Sequence, residues 1–238
     1  MRKLSTKWVP KCLKADQTRQ RCQSSEQLLE FFRRDPNYFL SRLVTMDKTW
    51  LYHYDPETKQ QSMEWRHSGS TRPKKFRVQK SAGKVLVSIF FGIKTASSSF
   101  LIFQRAKLST RSITHLCWCN WRAFWRKNAA GRSLRGFCSC TTIPRLARHL
   151  QPRKKMAHRG FQCLDHPPYF PDLAPSDYDL FPGLKKQLKG RHFSSDTEVI
   201  VAAETWLDRQ PSEFFLSVLQ KLEQLAKQCI GLRGEYVE

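Results

Sequence analysis

HPPYFPDLAPSDYDLF, residues 166–181, carries four prolines, and these exclude regular structure until Ser176. Ser176 is predicted to cap a helix with Asp177, Tyr178, Leu180 and Phe181 in its first turns. Immediately upstream, FQCLD (161–165) predicts a short strand. A strand therefore runs through a stiff connection into a helix whose first turn is acidic.

The flanks read as ordinary α/β protein. SSEQLLEFFRRD (24–35) has capping-box spacing from Ser24 to Gln27 and apolar Leu28, Leu29, Phe31 and Phe32, which predicts a helix. FLSRLVTMDKTWLYHYD follows as a strand, with Leu43, Thr45, Asp47 and Thr49 on one face and Val44, Met46, Lys48 and Trp50 on the other. DPETK (55–59) predicts a hairpin turn into QSMEW, and the apolar run KVLVSIFF (84–91) a third strand inside a covered sheet. Near the C-terminus, the Ser195-to-Glu198 spacing caps VIVAAETWLD. Ser212 is expected to cap EFFLSVLQKLEQLAKQCIGL, with Phe214, Leu216, Leu219, Leu222 and Leu225 at helical spacing.

Charge divides the chain differently. Forty-two Lys and Arg against twenty Asp and Glu give a formal charge of +22, which favours polyanions and makes DNA or RNA the expected partner. All the carboxylates lie outside residues 65–164, whereas many of the basic residues lie inside. No apolar run approaches the roughly 20 residues of a membrane span, and the N-terminus lacks the apolar stretch of a signal peptide. An intracellular protein with reduced cysteines and no membrane contact is expected.

WVPKCL (8–13), RLVTMDKTWLYHYDPETKQQSMEW (42–65), RPKKFRVQKSAGKV (72–85) and HPPYFPDLAPSDYDLFPGLKKQL (166–188) resemble the mariner transposases. The resemblance covers residues 1 to about 90 and 155–238. It implies a ribonuclease-H-like, retroviral-integrase-type α/β fold: a mixed sheet with flanking helices that cuts and joins DNA with two Mg²⁺ (or Mn²⁺) ions. It also implies that the helix-turn-helix domains preceding the WVP linker are missing. On that footing residues 1–23 are linker, 24–90 the first part of the catalytic domain, 91–154 an anomalous basic segment, and 155–238 the C-terminal part. The linker is a possible homodimer contact.

Two ions a few ångströms apart need carboxylate oxygens to hold them. The resemblance assigns the first acid to Asp47 in VTMDKTW and the third to Asp177 in SDY, with Asp179 a weaker contender. The second acid is expected in a His-Asp-Asn motif with thirty-four residues between it and the third, and counting back from Asp177 lands on Thr142. Thr142 lies in FCSCTTIPRLARH (137–149), and its hydroxyl has no charge with which to hold a metal pair.

That stretch also raises zinc, because Cys138 and Cys140, with Cys117, Cys119, His115 and His149, supply soft ligands. Their C-x-C spacing is atypical of structural zinc, and no zinc is expected. The genetic code accounts for the segment better. Read one nucleotide earlier, Cys140-Thr141-Thr142-Ile143 can encode His-Asp-Asn, and CWCNWR (117–122) can encode Leu-Leu-Val-Gln-Leu-Glu. An out-of-frame segment over about 91–154 is therefore expected, leaving the sheet incomplete and the middle irregular or disordered.

The expected function is a nuclear, DNA-binding remnant of a transposase catalytic domain that has lost cleavage and binds Mg²⁺ weakly or not at all. Arg72, Lys74, Lys75, Arg77 and Lys80 are its expected phosphate contacts. The alternatives are an active nuclease in which Asp165, Asp172 or Asp179 replaces the lost ligand, and a pseudogene product without function.

Overall fold

The computed structural model describes residues 13–71, 74–76, 78–93, 98–105, 137–141, 161–164, 166 and 170–237. Five strands, β1 (Leu43–Tyr52), β2 (Lys84–Ile93), β3 (Ser98–Arg105), β4 (Phe137–Thr141) and β5 (Phe161–Leu164), form one sheet in the order β3-β2-β1-β4-β5. β1, β2 and β3 are antiparallel, whereas β4 and β5 run parallel to β1 and to each other. The expected mixed sheet is present. It is not cut short after β2, however: β3 and β4 both come from the anomalous segment 91–154. A strand needs backbone pairing and short apolar runs more than a particular sequence, and FLIF in β3 supplies such a run. The rest of that segment lies outside the described residues.

Before the sheet comes α1 (Ala15–Arg34), which starts well ahead of the Ser24 signal. ADQTRQRCQ contains no proline or glycine, and the Gln17 side chain accepts from the Lys14 N–H at 3.0 Å, so the first turn is already closed. Arg21, Ser25, Leu28, Leu29 and Phe32 form its buried stripe. A short helix α2 (Pro36–Arg42) stands where a strand was expected to begin. Asp35 caps it by accepting from Tyr38 N–H at 2.9 Å, and Pro36 occupies its first position.

No strand forms at QSMEW. β1 pairs instead with β2, in a hairpin whose long connection is pinned at its base by His53 N–H to Gly83 O and Ser81 N–H to Tyr54 O, both 3.0 Å. DPETK makes only a local turn, with Thr58 and Gln61 hydrogen-bonded to each other.

After the proline-rich connection come α3 (Phe181–Leu188), α4 (Asp196–Asp208) and α5 (Ser212–Gly231). Ser195 caps α4 as expected, accepting from Glu198 N–H. Pro211 rather than Ser212 is the N-cap of α5, whose buried face is Phe215, Val218, Leu219, Leu222, Leu225, Ala226 and Cys229, with Phe214 and Leu216 only partly covered. These helices, with α1 and α2, bury the sheet face that carries Leu43, Leu51, Val85, Val87 and Ile89. On the opposite face Val44, Met46 and Phe90 are also fully buried, so the centre of the sheet is covered on both sides.

Candidate active site

Asp47 projects from the middle of β1, where Ile89 of β2 is its partner. It lies on the helix-covered face, 8% exposed, and its Oδ1 accepts from the N–H of Lys48 at 2.7 Å. The second carboxyl arrives from the loop–helix junction. Ala174 O accepts from both Asp177 N–H (2.8 Å) and Tyr178 N–H (3.1 Å), starting the turn. Residues Ser176–Leu180 form a wide π-helical turn in which Phe181 N–H reaches back to Ser176 O. Pro182, next in sequence, has no N–H to restore the tighter pattern, which accounts for the bulge entering α3. Tyr178 fixes the turn from outside by donating its hydroxyl to Val218 O of α5 at 2.5 Å.

Asp177 is thereby pressed against Asp47. Burial first, then the charge of Asp47 and a hydrogen bond with it, push the Asp177 carboxyl up to about 8. At neutral pH the two carboxyls hold one proton between them, because like charges this close and this poorly hydrated cannot both ionise. Lys185, half-buried on α3, pulls Asp177 the other way, while burial pushes its own ammonium down. The two carboxyls predicted as first and third acids thus meet. Lys185 was not foreseen, although its spacing of eight residues from Asp177, about two helical turns, places it on the same face.

On the other side of β1, β4 pairs in parallel register with Thr45 opposite Cys140 and Met46 opposite Thr141. The cysteine-rich stretch therefore occupies the strand next to the first acid. Thr142 lies outside the described residues, as do Cys117, Cys119, His115 and His149. Among the described residues no three His, Cys, Asp or Glu side chains converge as a metal site would require.

Two of the substitute acids are otherwise engaged. Asp172 receives both ends of the Arg21 guanidinium, Nη1 at 3.0 Å and Nη2 in a shorter contact, and also accepts from Val237 N–H at 3.0 Å. Arg21 is 1% exposed, donates further to Gly234 O (2.6 Å) and Glu235 O (3.1 Å), and lies between the Phe170 and Tyr236 rings. One buried cation thus ties α1, the proline-rich connection and the C-terminal tail together. Sequence reasoning missed it; the signal was a lone arginine in register with the apolar stripe of α1. Asp179 faces outward and accepts from Lys221 Nζ at 3.1 Å. Asp165 lies outside the described residues.

The basic loop is compensated more than its composition suggests. Lys75 donates to Glu57 at 2.7 Å, which raises its pKa, and Lys80 pairs with Asp55 at 3.4 Å. Lys74 is exposed, whereas Arg72 and Arg77 lie outside the described residues.

No family model matches the chain. The human histone-lysine N-methyltransferase SETMAR is 26% identical over 98% of this chain, which spans 33% of SETMAR. The Mos1 mariner transposase of Drosophila mauritiana is also 26% identical over 98% of this chain, which spans 66% of that protein. The solved Mos1 paired-end complex with Mn superposes over the whole chain with a TM-score of 0.82 at 23% identity. The chain is homologous to the Mos1 mariner transposase and to a part of SETMAR. The isolated Mos1 catalytic domain is covered in full, with a TM-score of 0.74 at 21% identity, so the mariner catalytic fold is the fold of this chain. Both sequence matches run through the anomalous segment as well as its flanks. No described helix is long and apolar enough to cross a membrane.

Proposed function

We propose that the chain is a mariner catalytic-domain remnant that binds DNA through its phosphates and no longer cleaves it. The observation that carries this reading is the Asp47–Asp177 pair beside a strand that runs into Thr142. Mos1 has been solved with Mg and with Mn, and as a pre-cleavage transpososome, which supports divalent-metal chemistry on DNA as the ancestral activity. Asp47 and Asp177 fit a single Mg²⁺ or Mn²⁺, since a cation can replace their shared proton and relieve their repulsion. They do not fit a pair of ions, which requires a further carboxylate.

An active enzyme with a substitute ligand is disfavoured because Arg21 saturates Asp172 and Lys221 holds Asp179 on the outer face. We further propose that residues 91–154 are read out of frame from a mariner-like ancestor. Alignment over 98% of the chain supports this, because the segment has kept its place between matching flanks. The bases across codons 91–154 test it: the other frame must translate to a mariner-like sequence, and any other translation removes the frame argument. Binding to nuclear DNA and dimerisation through residues 1–23 complete the proposal.

A salt titration tests the DNA reading. Log affinity for random duplex is expected to fall linearly with log salt, losing about two or more decades between about 50 and 200 mM, with weak sequence preference. Sequence-selective affinity indifferent to salt would refute it.

A further inference from the structure

α3 and the turn after it carry Lys185, Lys186, Lys189 and Arg191, with no acid between Asp179 and Asp196. α4 packs against α3 closely enough that a side chain at Gly183 would meet the Trp206 ring at 3.1 Å. Beyond that contact, Gln187, Arg191 and Arg209, together with the apolar Phe193, Val201 and Trp206, line a groove of about 630 Å³. Arg191 and Arg209 are both exposed, and neither forms an ion pair among the described residues. One carboxylate borders the groove, that of Glu198, and the N–H and hydroxyl of Ser194 already bind it.

From this arrangement we infer that the α3–α4 groove is a DNA-contact surface, distinct from the carboxylate pair, that holds the phosphodiester backbone of duplex DNA. The inference rests on the proposal that the chain binds DNA. Charge complementarity identifies the occupant. Guanidinium groups form forked hydrogen bonds to phosphate, and the exposed Gln187 amide is a neutral donor beside them, whereas the Thr205 hydroxyl already donates to Val201 O and that of Thr197 pairs with Ser195 Oγ. The expected loop lysines are worse placed, because binding phosphate there must first break Lys75–Glu57 and Lys80–Asp55.

Position agrees with chemistry. α3 begins beside Asp177 and ends beside the groove, and a helix rises about 1.5 Å per residue. The groove therefore starts within roughly 20 Å of the carboxylates, a few base pairs along a duplex at about 3.4 Å per step. No base edge need be read there, so the contact is expected to be independent of sequence.

The test measures affinity for a random duplex against salt in four forms of the full chain: unaltered, Arg191→Gln/Arg209→Gln, Arg191→Lys/Arg209→Lys, and Lys75→Gln/Lys80→Gln. Removing both groove charges is expected to lower the slope of log affinity on log salt by about 2. The lysine-for-arginine pair should keep the slope, and the loop pair should change it by less than about 0.5. Equal slopes for the unaltered chain and the glutamine groove variant, with folding intact by circular dichroism, overturn the inference while leaving DNA binding in place. A groove variant that loses slope only because it unfolds is identified by the lysine pair, which must then also lose it, and that result likewise counts against the groove. An unaltered chain with no salt-dependent binding overturns the DNA proposal itself.

Discussion

The carboxyls of Asp47 and Asp177, one from the central strand and the other from a helical turn 130 residues later, share a hydrogen bond and a single proton. This contact sets the pH behaviour of the protein. Burial and the Asp47 charge push Asp177 from its ordinary 3.8 up to about 8 in the folded chain. A raised acid favours the folded state while protonated, so its contribution is complete below pH 4 and is lost as pH rises towards 8.

Asp177→Asn removes that loss. The variant is expected to gain stability over the unaltered protein as pH rises from 4 to 8, by at least ~1.4 kcal/mol at the upper end, the value of one pKa unit. Chemical denaturation at several pH values measures the difference. Parallel profiles for the two proteins would show that the carboxyls do not share a proton.

His166 acts in the opposite direction. Burial lowers it from 6.5 to about 4, with Asp172 and a hydrogen bond to the Phe170 backbone opposing the shift. The neutral ring's contribution is complete above pH 6.5 and lost as pH falls through 4. His166→Asn should flatten the acid side of the stability curve between those values. An unchanged acid limb contradicts this.

Arg21 is expected to be the most sensitive single position outside the carboxylate pair. Arg21→Met leaves Asp172 buried without its cation and should cost about 3–5 kcal/mol, whereas Arg21→Met with Asp172→Leu should cost markedly less. Gly234→Ala attacks the same knot from the tail: φ is +86°, and the added carbon would lie 2.2 Å from Thr18 O. Denaturant melts of the four proteins measure the order. A double variant no better than Arg21→Met would show that the pair does not act as a unit.

How much of this was legible in sequence depends on whether the signal was local. Ser195 announced α4 because an N-cap is a contact within one turn, and Asp35-Pro36 announced α2 just as clearly, though an apolar run distracted from it. The stop of α1 was local; its start was hidden because Ser24 looked like a cap within an already favourable helix. The Asp47–Asp177 contact was available only through the resemblance, since no periodicity links a strand to a turn so far along the chain. Arg21 was illegible for the same reason: its partners are 149 to 215 residues away in sequence. The five-stranded sheet was underestimated because composition was used to judge the segment 91–154, whereas strand pairing depends on register with β1 and β2.

The loss of cleavage is tested most directly by a plasmid-nicking assay in Mg²⁺ and in Mn²⁺. It compares the chain as it stands, Thr142→Asp, a protein in which residues 91–154 are replaced by their other-frame translation, and that replacement carrying Asp47→Ala. Only the frame-restored protein is expected to nick, and Asp47→Ala should return it to background, because Thr142→Asp adds a third carboxyl directly after β4 but leaves Pro144 and the rest of the out-of-frame segment in place. Metal-dependent nicking by the unaltered chain, abolished by Asp47→Ala, would contradict the account.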